Sequence, residues 1–261
     1  MLFSSFRSSS IISALAFWGI LFGCTEQKSS ADKSLNTEVS FLTSDSIRIY
    51  GDYLAGEVDK PAILLCHQGG SNARGEYAWL ADTLNSLGYT TLAIDLRSGG
   101  QLYGSWNRTI AENQARNPSY CDAYPDIEAA VKYLLEKTQD KKMILWGSSF
   151  SGALVIQYAA RHPEHVKAVL GFSPASGEPM EGCQPEQDFD KIEMPLLVLR
   201  PEREMEIESV KNQIALAQKY NHQTFIAKPG AHGSSMLVEK RIKSDVGPTW
   251  NAVISFLQEA P

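Results

Sequence analysis

Three serines crowd one short stretch, ILWGSSFSGAL at residues 144 to 154: Ser148, Ser149 and Ser151. A serine hydroxyl is a poor nucleophile at neutral pH, so it needs a base within hydrogen-bond reach and a third group that fixes the base's tautomer. The chemistry such a trio performs is acyl transfer through a covalent intermediate. An apolar run precedes the serines and a helical period follows over residues 150 to 161, so they fall where a strand turns into a helix. In a G-x-S-x-G turn the bend is so sharp that the positions flanking its centre must be small. Centring the turn on Ser149 puts Gly147 and Ser151 at the tight positions, whereas centring it on Ser148 puts Trp146 and Phe150 there. Only Ser149 fits sterically. Ser151 replaces the glycine of the motif but is small, and Gly152 follows it.

The elements that must carry this turn alternate along the chain. Strand-like runs at 62–66, 91–96, 143–146, 166–172, 196–199 and 224–227 are separated by helical periods near 76–87, 127–135, 150–161 and 206–219, and a helix at 249–258 closes the chain. Ile127, Ala130, Val131, Leu134 and Leu135 form one buried helical stripe, with Asp126 placed to cap it. Strands apolar on both faces and separated by helices indicate an α/β fold, a mostly parallel sheet covered on both sides. Residues 37 to 56 alternate instead and read as an antiparallel hairpin at one edge. Two long loops remain, 97–125, with Tyr103, Trp106, Tyr120 and Tyr124, and the polar 175–194, too short for a lid domain; both are expected to wall a pocket.

With Ser149 and its flanking elements in place, the chain resembles the α/β-hydrolase fold, in the bacterial esterase and dienelactone-hydrolase-like group, over residues 40 to 258. The resemblance implies a three-layer α/β/α sandwich with a mostly parallel eight-stranded sheet, an antiparallel N-terminal edge and a minimal cap. It also implies the chain order nucleophile, acid, histidine. His232, in the Gly-rich loop KPGAHGSSM after the last strand, occupies the family's base position, while His67, His162, His165 and His222 have structural readings. The acid is expected in PEREMEIE among Glu202, Glu204 and Glu206; the family's strand-G-x-x-D pattern aligns its aspartate with Glu204 and its glycine with Pro201, and Glu178 is a minor alternative. Two backbone N–H groups would face the developing oxyanion. Phe150 supplies the first, and the second comes from Cys66-His67-Gln68-Gly69-Gly70, which resembles an HG-x motif, with Gly69 preferred and Gln68 the runner-up. Asp95-Leu96-Arg97-Ser98-Gly99-Gly100 resembles the family's D-x-R-G-x-G and is read as structural. No cofactor is implied, and no His, Cys and acid residues show metal-ligand spacing.

The first 23 residues form a separate unit. Arg7 is their only charge, and thirteen nearly all apolar residues from Ile11 to Gly23 read as a secretion signal too short to span a bilayer. Leu21-Phe22-Gly23-Cys24 resembles a bacterial lipobox, which implies a lipid on Cys24, a polar tether over 24–36, a hydrolase domain over 37–261, and a place in the cell envelope. In an exported chain Cys121 and Cys183, both in irregular polar segments, are candidates to pair as a disulfide, and Cys66 reads as a buried small hydrophobe. The net charge of −6 and the absence of a basic, aromatic-interleaved patch exclude a nucleic-acid partner. Asn107-Arg108-Thr109 matches a glycosylation acceptor and is read as chance. The expected activity is hydrolysis of an ester or related acyl bond in a small-molecule substrate. Its rivals are a small-substrate peptidase or amidase, and a non-catalytic lipoprotein that uses the same scaffold to bind a ligand or partner; the departures at Ser151, Gln68 and Glu204 keep that last reading open.

Overall fold

In the computed structural model, residues 36–113, 118–139 and 141–260 are described. The leader, Cys24 and the tether as far as residue 35 lie outside them. No helix among the described residues is long and apolar enough to cross a membrane. Strands β1 (Thr37–Leu42) and β2 (Arg48–Leu54) pair antiparallel, as their alternation requires. There follow β3 (Ala62–Cys66), α1 (Ala73–Ser86), β4 (Thr90–Asp95), α2 (Arg108–Asn113), α3 (Tyr124–Thr138), β5 (Met143–Ser148) and α4 (Phe150–Arg161). The chain continues through β6 (Val166–Phe172), β7 (Leu196–Pro201), α5 (Glu208–Lys219), β8 (Gln223–Ala227), α6 (Glu239–Ile242) and α7 (Gly247–Glu259). Eight strands form one sheet in the order β1-β2-β4-β3-β5-β6-β7-β8. β3 to β8 are parallel, and β2 meets β4 antiparallel.

Because side chains alternate across a strand, the apolar runs feed two cores. Leu64, Leu92, Leu145 and Val169 face Ile127, Val131, Leu154 and Ile214 of α3, α4 and α5. Their chain neighbours Ile63, Ala93, Trp146 and Leu170 face Tyr77, Leu80, Val253 and Phe256 of α1 and α7. The result is a parallel sheet buried on both sides, and all six residues of β5 are buried as it runs toward Ser149.

Several local expectations are corrected. Asp126 does not cap its helix: α3 begins at Tyr124 with Pro125 in its first turn, and the buried Asp126 carboxylate accepts hydrogen bonds from Arg97 N (2.8 Å) and Nε (2.8 Å). Burial raises its pKa to about 6 against the pull of Arg97. The loop 97–125 contains α2, whose start is capped by Asn107 Oδ1 accepting from Ile110 N–H (2.9 Å). Asn107 is 1% exposed and its amide donates to Leu96 O, so it is no glycosylation acceptor in the folded chain. Of that loop's aromatics, Tyr103 bonds Gln68 and Ser235, Tyr120 stacks on Phe150, Tyr124 packs on Tyr158, and Trp106 is exposed. The loop also lines a cavity with Asp45 and Ile47, but Ser149 is not in its wall. A disulfide joins Cys121 to Cys183. Cys66 is a buried free thiol, and burial pushes its pKa up.

Candidate active site

The carboxyl ends of β5, β7 and β8 lie along one edge of the parallel sheet, and each carries one polar residue of the candidate site. At the end of β5 the chain reverses direction at Ser149, whose backbone is held at φ 62°, ψ −121°. A non-glycine residue in that region costs about 1–3 kcal/mol and persists only where its surroundings over-determine it. Here they do: Ser149 N–H donates to Phe172 O (2.8 Å), and Ser149 O accepts from Ala175 N–H (2.9 Å) and Ala153 N–H (3.3 Å). Gly147 is obligatory, since a Cβ there would lie 2.4 Å from Ser151 O. Ser151 has a function that glycine lacks. Its buried Oγ accepts from Ser148 N–H (2.9 Å) and donates to Cys66 O (2.7 Å), lashing the serine turn to the end of β3.

His232 follows β8, and its Nδ1–H donates to Glu204 Oε1 at 2.6 Å. That bond fixes the tautomer and leaves Nε2 with the free lone pair. Glu204 sits in a 3₁₀ turn over Glu202–Glu206, immediately after β7. It is the one glutamate of its group that is buried, whereas Glu202 and Glu206 are exposed. Its other oxygen accepts from Arg200 Nη1 (2.9 Å), and Oε1 also accepts from Ser173 Oγ (3.2 Å). Burial pushes the Glu204 carboxyl up, but the hydrogen bond and charge of His232, and then those of Arg200, outweigh it and hold the group below its ordinary value. The histidine loop is fastened to the serine turn by Ser234 N–H donating to Ser148 Oγ (3.0 Å), and to the acid by Gly233 N–H donating to Ser173 Oγ (3.1 Å). Residue 148 is thereby linked to 234, and 173 to both 204 and 233, with Ser149 and His232 each one position along the chain from a link.

Of the two candidate oxyanion donors on the β3 loop, Gln68 N–H is already given to Glu76 Oε2 (3.0 Å). Gly69 is therefore the better placed, alongside Phe150 N–H at the first turn of α4, where no preceding helical turn supplies a partner. His67 is structural: Nδ1–H donates to Gln68 O (2.8 Å), Nε2 accepts from Leu96 N–H (2.9 Å), and burial lowers its pKa. Asp95 and Arg97 stand apart from the site, in ion pairs with Arg108 and with Asp45 and Asp126. Glu178 begins a separate 3₁₀ turn and is exposed.

Two supporting residues escaped the sequence reading: Ser173, which follows β6, and Arg200, the penultimate residue of β7. Both look like ordinary core punctuation; their contacts span 31 and 4 residues, and no local pattern marks the first. The reading of no metal-ligand spacing also needs amendment, because His162, Glu164 and His165 bring one ligand atom each within 4.8 Å of the others. That group lies at the opposite end of α4 from Ser149.

The family described as alpha/beta hydrolase fold matches residues 61–228. A curated thiohydrolase of Aspergillus aculeatus is 30% identical over 142 residues, which are 53% of this chain and 41% of that protein, so this chain spans less than half the relative's length. Among solved structures, an esterase of Pyrococcus furiosus superposes with a TM-score of 0.64 at 15% identity, covering 87% of this chain and 92% of its own. A dienelactone hydrolase from Anabaena variabilis gives a TM-score of 0.60 at 17% identity, covering 86% and 96%. At such identities these two structures speak for the fold alone.

Proposed function

The chain belongs to the α/β-hydrolase fold family, and on that premise we propose that it is a serine hydrolase cleaving an ester or related acyl bond through an acyl-enzyme on Ser149. The carrying observation is the 2.6 Å bond from His232 Nδ1–H to the buried Glu204, tied through Ser173 and Ser148 to the strained turn at Ser149. His232 Nε2 takes the proton of Ser149 Oγ as that oxygen attacks the substrate's carbonyl carbon. The carbonyl π pair moves onto oxygen, and Phe150 and Gly69 N–H groups stabilise the oxyanion. When the tetrahedral adduct collapses, the carbon–leaving-group bond breaks and Nε2–H protonates the departing alkoxide or thiolate. Water, deprotonated by the same nitrogen, then releases the acid and restores Ser149. Glu204 stays ionised throughout, holding the imidazole's tautomer and stabilising the imidazolium; Arg200 and Ser173 hold Glu204. A relative described as a thiohydrolase supports the hydrolytic reading. The lipobox-like Cys24 supports a lipid-anchored enzyme of a bacterial envelope.

Fluorophosphonate labelling and p-nitrophenyl ester turnover, each compared between the parent and Ser149→Ala, test this reading. Labelling and turnover are expected in the parent, with both lost in the variant. Equal labelling in the two proteins would remove Ser149 as nucleophile, and absence of turnover in the parent would favour the non-catalytic alternative.

A further inference from the structure

Tyr120 touches a residue from each of the two turns assigned to the acyl oxygen, the Phe150 ring and Gly69. Its ring stacks on Phe150, with centroids 4.6 Å apart and planes 14° from parallel. Its hydroxyl closes over Gly69, where an added Cβ would sit 2.5 Å from the phenolic oxygen. The residue is half-buried, and that oxygen has no hydrogen-bond partner among the described residues. A phenolic hydroxyl set against Gly69 and given nothing to bond is a donor awaiting an acceptor.

The placement is enforced from the next residue. Cys121 is joined to Cys183, 62 positions away. Cys183 follows the buried Met180, which packs with Phe189 in the core beneath α4. Tyr120 is thus held by a stack on one side and a covalent cross-link on the other, while its own loop is otherwise long and polar.

We propose that Tyr120 is a catalytic residue whose hydroxyl donates a third hydrogen bond to the acyl oxygen, and that the Cys121–Cys183 disulfide holds it in register. The inference rests on the Ser149 reading. The bond strengthens as the carbonyl oxygen becomes an oxyanion, so its loss falls on kcat more than on KM. Single oxyanion donors are worth about 10²–10³ in kcat where they are fully enclosed, and a half-buried one is expected to be worth about 10–100.

The test is steady-state turnover of p-nitrophenyl acetate by the full chain, the chain carrying Tyr120→Phe, and the chain carrying Cys121→Ser with Cys183→Ser. Far-UV circular dichroism and fluorophosphonate labelling of Ser149 are followed in each. Tyr120→Phe keeps the stack and removes only the hydroxyl. It is expected to lower kcat by about 10–100-fold with KM within about twofold, while labelling persists. The double serine variant is expected to lower kcat comparably, and adding Tyr120→Phe to it should cost little more. A folded Tyr120→Phe protein with kcat within twofold of the parent overturns the donor role. A folded double serine variant with parental kcat overturns the disulfide's part in it. Should Ser149→Ala retain turnover, the Ser149 reading fails first; should Ser149→Ala be inactive and Tyr120→Phe unaffected, this inference alone falls.

Discussion

Among single residues, the candidate acid is the most informative member of the site. Glu204 is buried, shared between His232 and Arg200, and held below its ordinary pKa. A carboxyl depressed in the folded state contributes stability that is present above its unfolded value and lost as pH falls through the folded one. The pairing is therefore intact at neutral pH and is lost only as pH falls below the ordinary glutamate range. Urea unfolding at pH 6 and pH 3 should show a smaller acid-side loss for Glu204→Gln than for the parent; equal losses would mean that Glu204 does not titrate with folding. The same substitution changes the imidazole's partner and should lower kcat by about 10⁴-fold, as loss of the orienting carboxylate does elsewhere, with KM little altered. Glu202→Gln and Glu206→Gln, at exposed positions, should retain parental kcat.

At the scale of elements, the strand-to-helix turn from β5 into α4 shows how a motif departure can be structural. Ser151 Oγ satisfies Ser148 N–H and caps Cys66 O, two buried backbone groups from different strands. Restoring the family's glycine by Ser151→Gly therefore strands Ser148 N–H, although Cys66 O keeps Tyr77 Oη at 2.7 Å. An orphaned buried donor costs about 1–3 kcal/mol. In a domain of this size that lowers Tm by about 2–12 °C. A thermal melt in which Ser151→Gly equals or exceeds the parent would show that the serine is incidental. The motif alone makes Ser151 look like a defect; the contact that justifies it lies 85 residues away in the chain.

At the scale of the whole molecule, the antiparallel edge is tied to the parallel sheet by charge as well as by strand pairing. Arg108 reaches Asp95 (2.6 Å) at the end of β4, Asp52 (2.8 Å) on β2 and Glu38 (3.0 Å) on β1. Asp95 is buried, and without Arg108 it keeps only the N–H groups of Ala73 and of residue 108 itself. Arg108→Met is expected to cost about 3–5 kcal/mol in urea unfolding, the range for a buried pair that loses one partner. Arg48→Met, which breaks an exposed pair with Glu112, should stay within about 1 kcal/mol of the parent. Equal effects of the two variants would remove Arg108 as the tie.

The order of strands and helices is legible in the unfolded chain, because burial on both faces demands continuous apolar runs and one-sided burial demands a period. The same reading separated Ser149 from Ser148, because Gly147 and Ser151 leave room for the sharp turn where Trp146 and Phe150 would not. His232 and Glu204 were legible through the family's chain order, with Glu202 and Glu206 left beside Glu204 because three acids in five residues look alike until one is buried. That Glu204 meets His232, that Asp126 serves Arg97 instead of a helix cap, and that Ser173 and Arg200 hold Glu204 follow from the folded contacts. Each of those is a contact between a side chain and a group on another element or across a turn. Periodicity and local sterics are written into neighbouring residues, whereas such pairings exist only once the sheet has brought its strand ends to one edge.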